Sequence, residues 1–160
     1  MKFPALLATA RVANIPSVVS NVWLGIAVGS LNGNRGFHEI PATTVLCLIL
    51  SGVFVYIAGN FLNDWMDSDW DKQHRPERAL PRRLFTRNQY AGVAGILMVL
   101  ALFLAWWVSW LSVLIMAAII ISICIYTASH KRTPWSVIPM AICRALLPVL
   151  GHSAFLSNTT

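Results

Sequence analysis

A multi-pass, all-α membrane bundle of about five spans is the fold class this sequence predicts, and three observations predict it. The chain of 160 residues is 57% hydrophobic and only 11% charged, where soluble domains carry about 25% charged residues. Five apolar runs each approach the roughly 20 residues that a helix needs to cross a bilayer. Backbone N–H and C=O groups in hydrocarbon must be bonded within their own segment, which selects helices for runs of this kind.

The elements follow in order. Residues 1–11, MKFPALLATAR, hold a lysine, a short apolar stretch with Pro4, and an Ala8-Thr9-Ala10 step like a signal-peptidase site. The apolar part is only about eight residues long and a longer run begins at once, so the segment reads as an interfacial lead-in. The first span covers about 14–31, with Asn14 and Asn21 on one face, and the second about 42–62. The third, about 89–109, and the fourth, about 111–128, meet almost without a loop near Ser109 and Trp110. That predicts a tight hairpin, with Trp106, Trp107 and Trp110 as an interfacial aromatic belt. The fifth span covers about 134–156 and is interrupted by Pro139 and Pro148. Cys47, Cys124 and Cys143 all lie inside apolar runs without a C-x-x-C pair, so they read as small buried hydrophobes.

The net charge of +6 invites a nucleic-acid reading, but no nucleic-acid module is present. Basic residues of membrane proteins collect on the cytoplasmic side. With the N-terminus cytoplasmic, that side carries Lys2, Arg11, Lys72, Arg75, Arg78, Arg82, Arg83, Arg87, Lys131 and Arg132, and the opposite side only Arg35. Alternation of the spans then puts both polar loops, 63–88 and 129–133, on the cytoplasmic face. The expected location is the cytoplasmic (inner) membrane.

The most informative stretch is NDWMDSDWD, residues 63–71, which holds four of the six acidic residues of the chain. If the second helix runs past the membrane edge, Asn60, Asp64, Asp67 and Asp71 fall at spacings of four, three and four, on one face, with Asn63 beside them. Asp69 falls off that face. Carboxylates so close repel by about 0.2–0.5 kcal/mol per exposed pair, and by more when desolvated. A hard divalent cation relieves the repulsion, and Mg²⁺ favours carboxylate and amide oxygens together with substrate phosphates. The next residues, KQHRPERALPRR, supply cations able to bind the remaining phosphate oxygens. Acid followed by base at one membrane surface suits a metal-bridged diphosphate.

Asn63-Asp64-x-x-Asp67-x-x-x-Asp71 resembles the N-D-x-x-D-x-x-x-D motif of the UbiA-type intramembrane prenyltransferases. RPERALP, residues 75–81, is similar to the R-P-L-P stretch of that family. ARVANIPSVVSNVWLG (10–25), YTASHKRTP (126–134) and ICRALLPVLG (142–151) resemble its first span, its tyrosine followed by Lys-Arg, and part of its fifth span. Three departures stand out. Ala79 replaces a proline, Arg82-Arg83 replace a small residue and a glycine, and the tyrosine-to-basic spacing is one residue longer. The last leaves His130-Lys131 or Lys131-Arg132 as the equivalent pair. Members of the family are roughly twice as long and carry a second aspartate-rich motif, whereas no Asp follows residue 71 here. The chain is therefore expected to be the N-terminal half of such an enzyme, as a fragment or truncation.

The resemblance implies Mg²⁺-dependent transfer of a prenyl group from an allylic prenyl diphosphate to a lipophilic, often aromatic, acceptor. It makes Asn63, Asp64, Asp67 and Asp71 the metal residues, and Arg75, Arg78, Lys131 and Arg132 the diphosphate and leaving-group residues. Asn60, Asp64, Asn21 and Arg144 are expected to meet substrate. Arg144 belongs here because an ionisable residue inside a span faces the bundle interior. His74 and His130 are possible bases without support from the sequence. Two alternatives stand: a catalytically inactive half-protein, and a cation-coupled transporter subunit, whose acids would sit near the bilayer midplane. A divalent-metal flux assay in liposomes separates the transporter from a transferase.

Overall fold

The long apolar runs become helices, as hydrocarbon requires. The structure, a computed structural model, describes residues 2–32, 36–131 and 133–156. Among them no strand occurs. The helices are α1 (Lys2–Ala10), α2 (Ile15–Asn32), α3 (Ala42–Met66), α4 (Ser68–His74), α5 (Arg87–Val108), α6 (Trp110–Ser129) and α7 (Val137–Leu156). Among the described residues five helical stretches are long and apolar enough to cross a membrane, the first running from Lys2 to Leu31 and so joining α1 to α2, the others being α3, α5, α6 and α7. The expected lead-in forms α1, set off from α2 by Arg11 in the left-handed region (φ 48°) and a single 3₁₀ turn, Val12–Asn14.

Local chemistry sets the boundaries. Thr86 and Gln89 form a reciprocal capping box that starts α5, with bonds of 3.2 and 2.9 Å. Ser109, in extended conformation, ends α5 and starts α6, its hydroxyl accepting from the Ser112 N–H at 3.1 Å. One serine that serves both helix ends explains the loop-free hairpin. Trp106, Trp107 and Trp110 are exposed around it.

α3 packs along α5 and also touches α2, α6 and α7, while α7 lies against α2 and α6. Val22, Ile26, Leu48, Met116 and Leu150 are among the residues closed off from solvent where these helices meet. At the α2–α7 crossing the two backbones come close. A methyl group on Gly25 would run into the Pro148 carbonyl, and one on Gly151 into the Val22 carbonyl. Small residues allow such backbone contact between spans. Gly151→Ala is therefore expected to push the helices apart at a cost of roughly 1–3 kcal/mol, read as a lowered unfolding midpoint in detergent. An unchanged midpoint would show that the crossing is loose.

The cysteines correct an expectation. Cys124 is exposed and Cys47 and Cys143 are only partly covered, because a lipid-facing helix presents a small apolar side chain outward without penalty. The Arg82-Arg83 departure also has a structural meaning. Arg83 adopts φ 54°, a left-handed conformation that costs an L-residue about 1–2 kcal/mol and a glycine little. Arg83→Gly is expected to stabilise the chain by about 1 kcal/mol, seen as a rise in the thermal midpoint. A fall would mean that the arginine side chain outweighs its backbone strain.

Candidate functional site

The polar stretch does continue the second span, with a break. α3 ends at Met66 and α4 begins at Ser68, but the backbone ladder persists through Asp67. The Asp67 N–H bonds the Asn63 carbonyl, and the Asp71 N–H bonds the Asp67 carbonyl, both at 2.9 Å. Asp67 and Asp71 are buried, while Asn63 and Asp64 are partly so.

The side chains form two adjoining groups. In the first, Arg78 Nη1 donates to Asp64 at 3.0 Å and to Asp71 at 2.8 Å. In the second, Asp67 accepts from Asn63 Nδ2 at 3.3 Å and from Lys131 Nζ at 2.8 Å, and His130 Nε2 lies 3.2 Å away. The loops after α3 and α6 thus meet at one end of the bundle, as alternation of the spans requires. Lys131 also stands 4.0 Å above the ring of Trp70, whose other neighbour is the stacked imidazole of His74.

Asp69 is the exception expected from its spacing. It points outward to Lys72 (2.7 Å) and Arg87 (3.2 Å). The hydrogen bond and charge of Lys72, with Arg87 behind, hold its carboxyl below the usual carboxylate range. Arg75 joins neither group. It is exposed, with its guanidinium 5.9 Å from the Trp70 ring. Arg132 lies outside the described residues.

Beside this polar end lies a cavity of about 290 Å³. Asn60, Asn63, Asn21 and Arg144 all line it, so three of the four expected substrate residues converge there, while Asp64 does not. Asn60 is partly committed, donating to the Ala10 carbonyl at 3.3 Å. Val18, Val55, Ile119 and Leu147 make much of the remaining wall apolar.

Four residues, Arg11, Trp70, His74 and His130, contribute in ways that sequence reasoning did not give. Arg11 entered only as an orientation charge, yet it lines the cavity, its carbonyl held by Tyr56 Oη at 3.3 Å. Its left-handed backbone has no sequence signature. Trp70 and His74 are i, i+4 neighbours, a spacing that signals contact, but their role under Lys131 depends on a distant loop. His130 was legible as a possible base and as one of two candidates for the basic pair after the fourth span, but not as a partner of Asp67.

Oxygen chemistry tests the fit to a hard cation. Among the described residues no three His, Cys, Asp or Glu side chains gather as a ready metal cluster, and Arg78 and Lys131 pair with the carboxylates. Asn63 Oδ1 and Asp71 Oδ1, however, are buried oxygens without a hydrogen-bond partner. Buried polar atoms are nearly always paired, and amide and carboxylate oxygens are what Mg²⁺ takes. The residues fit the ion.

Known proteins agree with this architecture. The chain is 38% identical to a digeranylgeranylglyceryl phosphate synthase of Pyrococcus horikoshii over 91 residues, 54% of this chain and 33% of the relative. It is 29% identical to the Thermococcus kodakarensis protein of that name over 109 residues, 68% of this chain and 38% of the relative. The match thus spans only 33% and 38% of these curated relatives. Among solved structures, a digeranylgeranylglyceryl phosphate synthase superposes with a TM-score of 0.84 at 22% identity, covering 96% of this chain and 53% of that one. A UbiA homologue from Archaeoglobus fulgidus, bound to GPP and Mg²⁺, superposes with a TM-score of 0.76 at 17% identity, covering 98% and 56%. Residues 17–160 match the UbiA prenyltransferase family, and with the acidic motif, the basic loop and the helical frame in agreement, the chain belongs to that family.

Proposed function

We propose that this chain supplies the donor half of an intramembrane prenyltransferase, which binds an allylic prenyl diphosphate with Mg²⁺ and passes the prenyl group to a lipophilic acceptor. One observation carries the reading. Unpartnered buried oxygens of Asn63 and Asp71 share a bundle end with Arg78 and Lys131, beside a largely apolar cavity.

Asn63, Asp67 and Asp71 would hold Mg²⁺, with Asp64 completing the acidic face. The bound ion supplies charge neutralisation for the diphosphate and the departing pyrophosphate. Lys131 and Arg78 are positioned to exchange their carboxylate partners for diphosphate oxygens. Arg75 adds to the basic rim, and Arg132, which lies outside the described residues, is proposed as a further diphosphate residue. Such charge stabilisation of the leaving group speeds C–O cleavage to an allylic cation. The cavity wall shields that cation from water, while Arg144, Asn21 and Asn60 orient the substrate. The acceptor is lipophilic: an aromatic ring, or a glyceryl phosphate lipid such as the curated relatives' name records. The charge bias supports a cytoplasmic N-terminus and cytoplasmic polar loops, with the inner membrane as the proposed location.

A direct test uses the full natural chain in lipid nanodiscs with a radiolabelled allylic diphosphate. Mg²⁺-dependent pyrophosphate release that rises with a lipophilic acceptor is the expected result. Metal-independent binding without release would favour a catalytically inactive half-protein, and divalent-metal flux in liposomes would favour a transporter.

A further inference from the structure

We propose that His130 is a positioning residue for Asp67, a role that rests on the donor-site reading above. Its Nε2 lies 3.2 Å from each carboxylate oxygen of Asp67. A carboxylate only accepts, so the imidazole N–H donates. Behind it, Nδ1 lies 3.0 Å from the Thr127 carbonyl in the last turn of α6, and the ring stacks on Tyr126 with centroids 5.2 Å apart. The side chain is 15% exposed. The hydrogen bond to Asp67, the stack and burial hold this ring in place.

Its neighbour is built differently. Lys131 reaches the same carboxylate, but it is 33% exposed and rests on a flexible four-carbon stem. Lys131, paired with Asp67 and seated over Trp70, has the longer and more flexible stem with which to follow an anion, and the stacked, buried ring of His130 does not. When Lys131 leaves Asp67 for a phosphate oxygen, His130 and Asn63 Nδ2 still fix the carboxylate, so the metal-binding oxygens do not reorient. Groups that orient a metal ligand typically contribute about 10–100-fold to metal affinity.

The experiment titrates Mn²⁺ into the full natural chain in nanodiscs with inorganic pyrophosphate, and bound metal is read by electron paramagnetic resonance. His130→Leu is expected to weaken Mn²⁺ binding by about 10-fold or more. His130→Asn, polar but too short to reach Asp67, is expected to do the same. His130→Gln, whose terminal amide reaches farther and still donates, should restore most of the affinity. In turnover assays the Leu and Asn variants should raise the half-saturating Mg²⁺ while kcat at saturating metal stays within about twofold. Wild-type affinity in both the Leu and Asn variants would overturn the proposal, as would a Gln variant as weak as Leu. A wild-type protein that binds no Mn²⁺ with pyrophosphate would overturn the donor-site reading and this role together.

Discussion

Replacing Asp67 with alanine is expected to lower prenyl diphosphate turnover by at least about 100-fold while membrane insertion stays intact. Asp67 is where the two polar loops meet. It closes the ladder between α3 and α4, and it accepts from Asn63, His130 and Lys131. Without its carboxylate the cationic loop after α6 loses its anchor, and in the proposed donor site the metal ion would lose one carboxylate ligand. The backbone does not depend on the side chain, since its bonds to Asn63 and Asp71 are made by main-chain atoms. Turnover by the purified variant against a trypsin-protection map of its spans separates the two effects. Wild-type turnover in Asp67→Ala would refute the assigned role.

Arg78→Leu is expected to carry the largest stability cost. One guanidinium nitrogen serves both Asp64 and Asp71, whose side chains are 13% and 3% exposed. Removing it leaves two nearby carboxylates without a counter-charge, a change that typically costs about 3–5 kcal/mol. A divalent cation substitutes for the missing charge, so added Mg²⁺ should recover part of the loss in Arg78→Leu and do far less in wild type. Thermal unfolding with and without Mg²⁺ measures both. Equal midpoints for the two proteins in the absence of metal would show that the pairs contribute little.

These expectations show how far the residues alone reach. Apolar run length placed the spans within a few residues, because hydrocarbon leaves the backbone no option besides a helix. The spacing of Asn60, Asp64, Asp67 and Asp71, with Asn63 beside them, predicted that the second helix runs on past the span, and the backbone ladder does continue from Asn63 through Asp67 to Asp71, because i, i+4 geometry is local. Asn21 and Arg144, on different helices, were legible as polar residues inside spans, and both line the cavity. What stayed hidden was tertiary. Nothing local tells that Arg78 folds back on Asp64 and Asp71 while Arg75 turns outward, or that residue 130 rather than only residue 131 meets Asp67. The left-handed backbones of Arg11 and Arg83 were invisible for the opposite reason: arginine gives no signal for a conformation that glycine would announce. The departure at Arg83 was visible only by resemblance, and its cost only in the backbone.

Metal-switch rescue tests direct ligation by the acidic face most sharply. Asp67→Cys replaces a hard oxygen with a soft thiolate, which favours Cd²⁺ over Mg²⁺. The variant should release no pyrophosphate from an allylic diphosphate with Mg²⁺ alone and regain release when Cd²⁺ is added, while Asp67→Ala stays silent with both. Full activity of Asp67→Cys in Mg²⁺, or equal silence of the Cys and Ala variants under Cd²⁺, would contradict a metal held by Asp67.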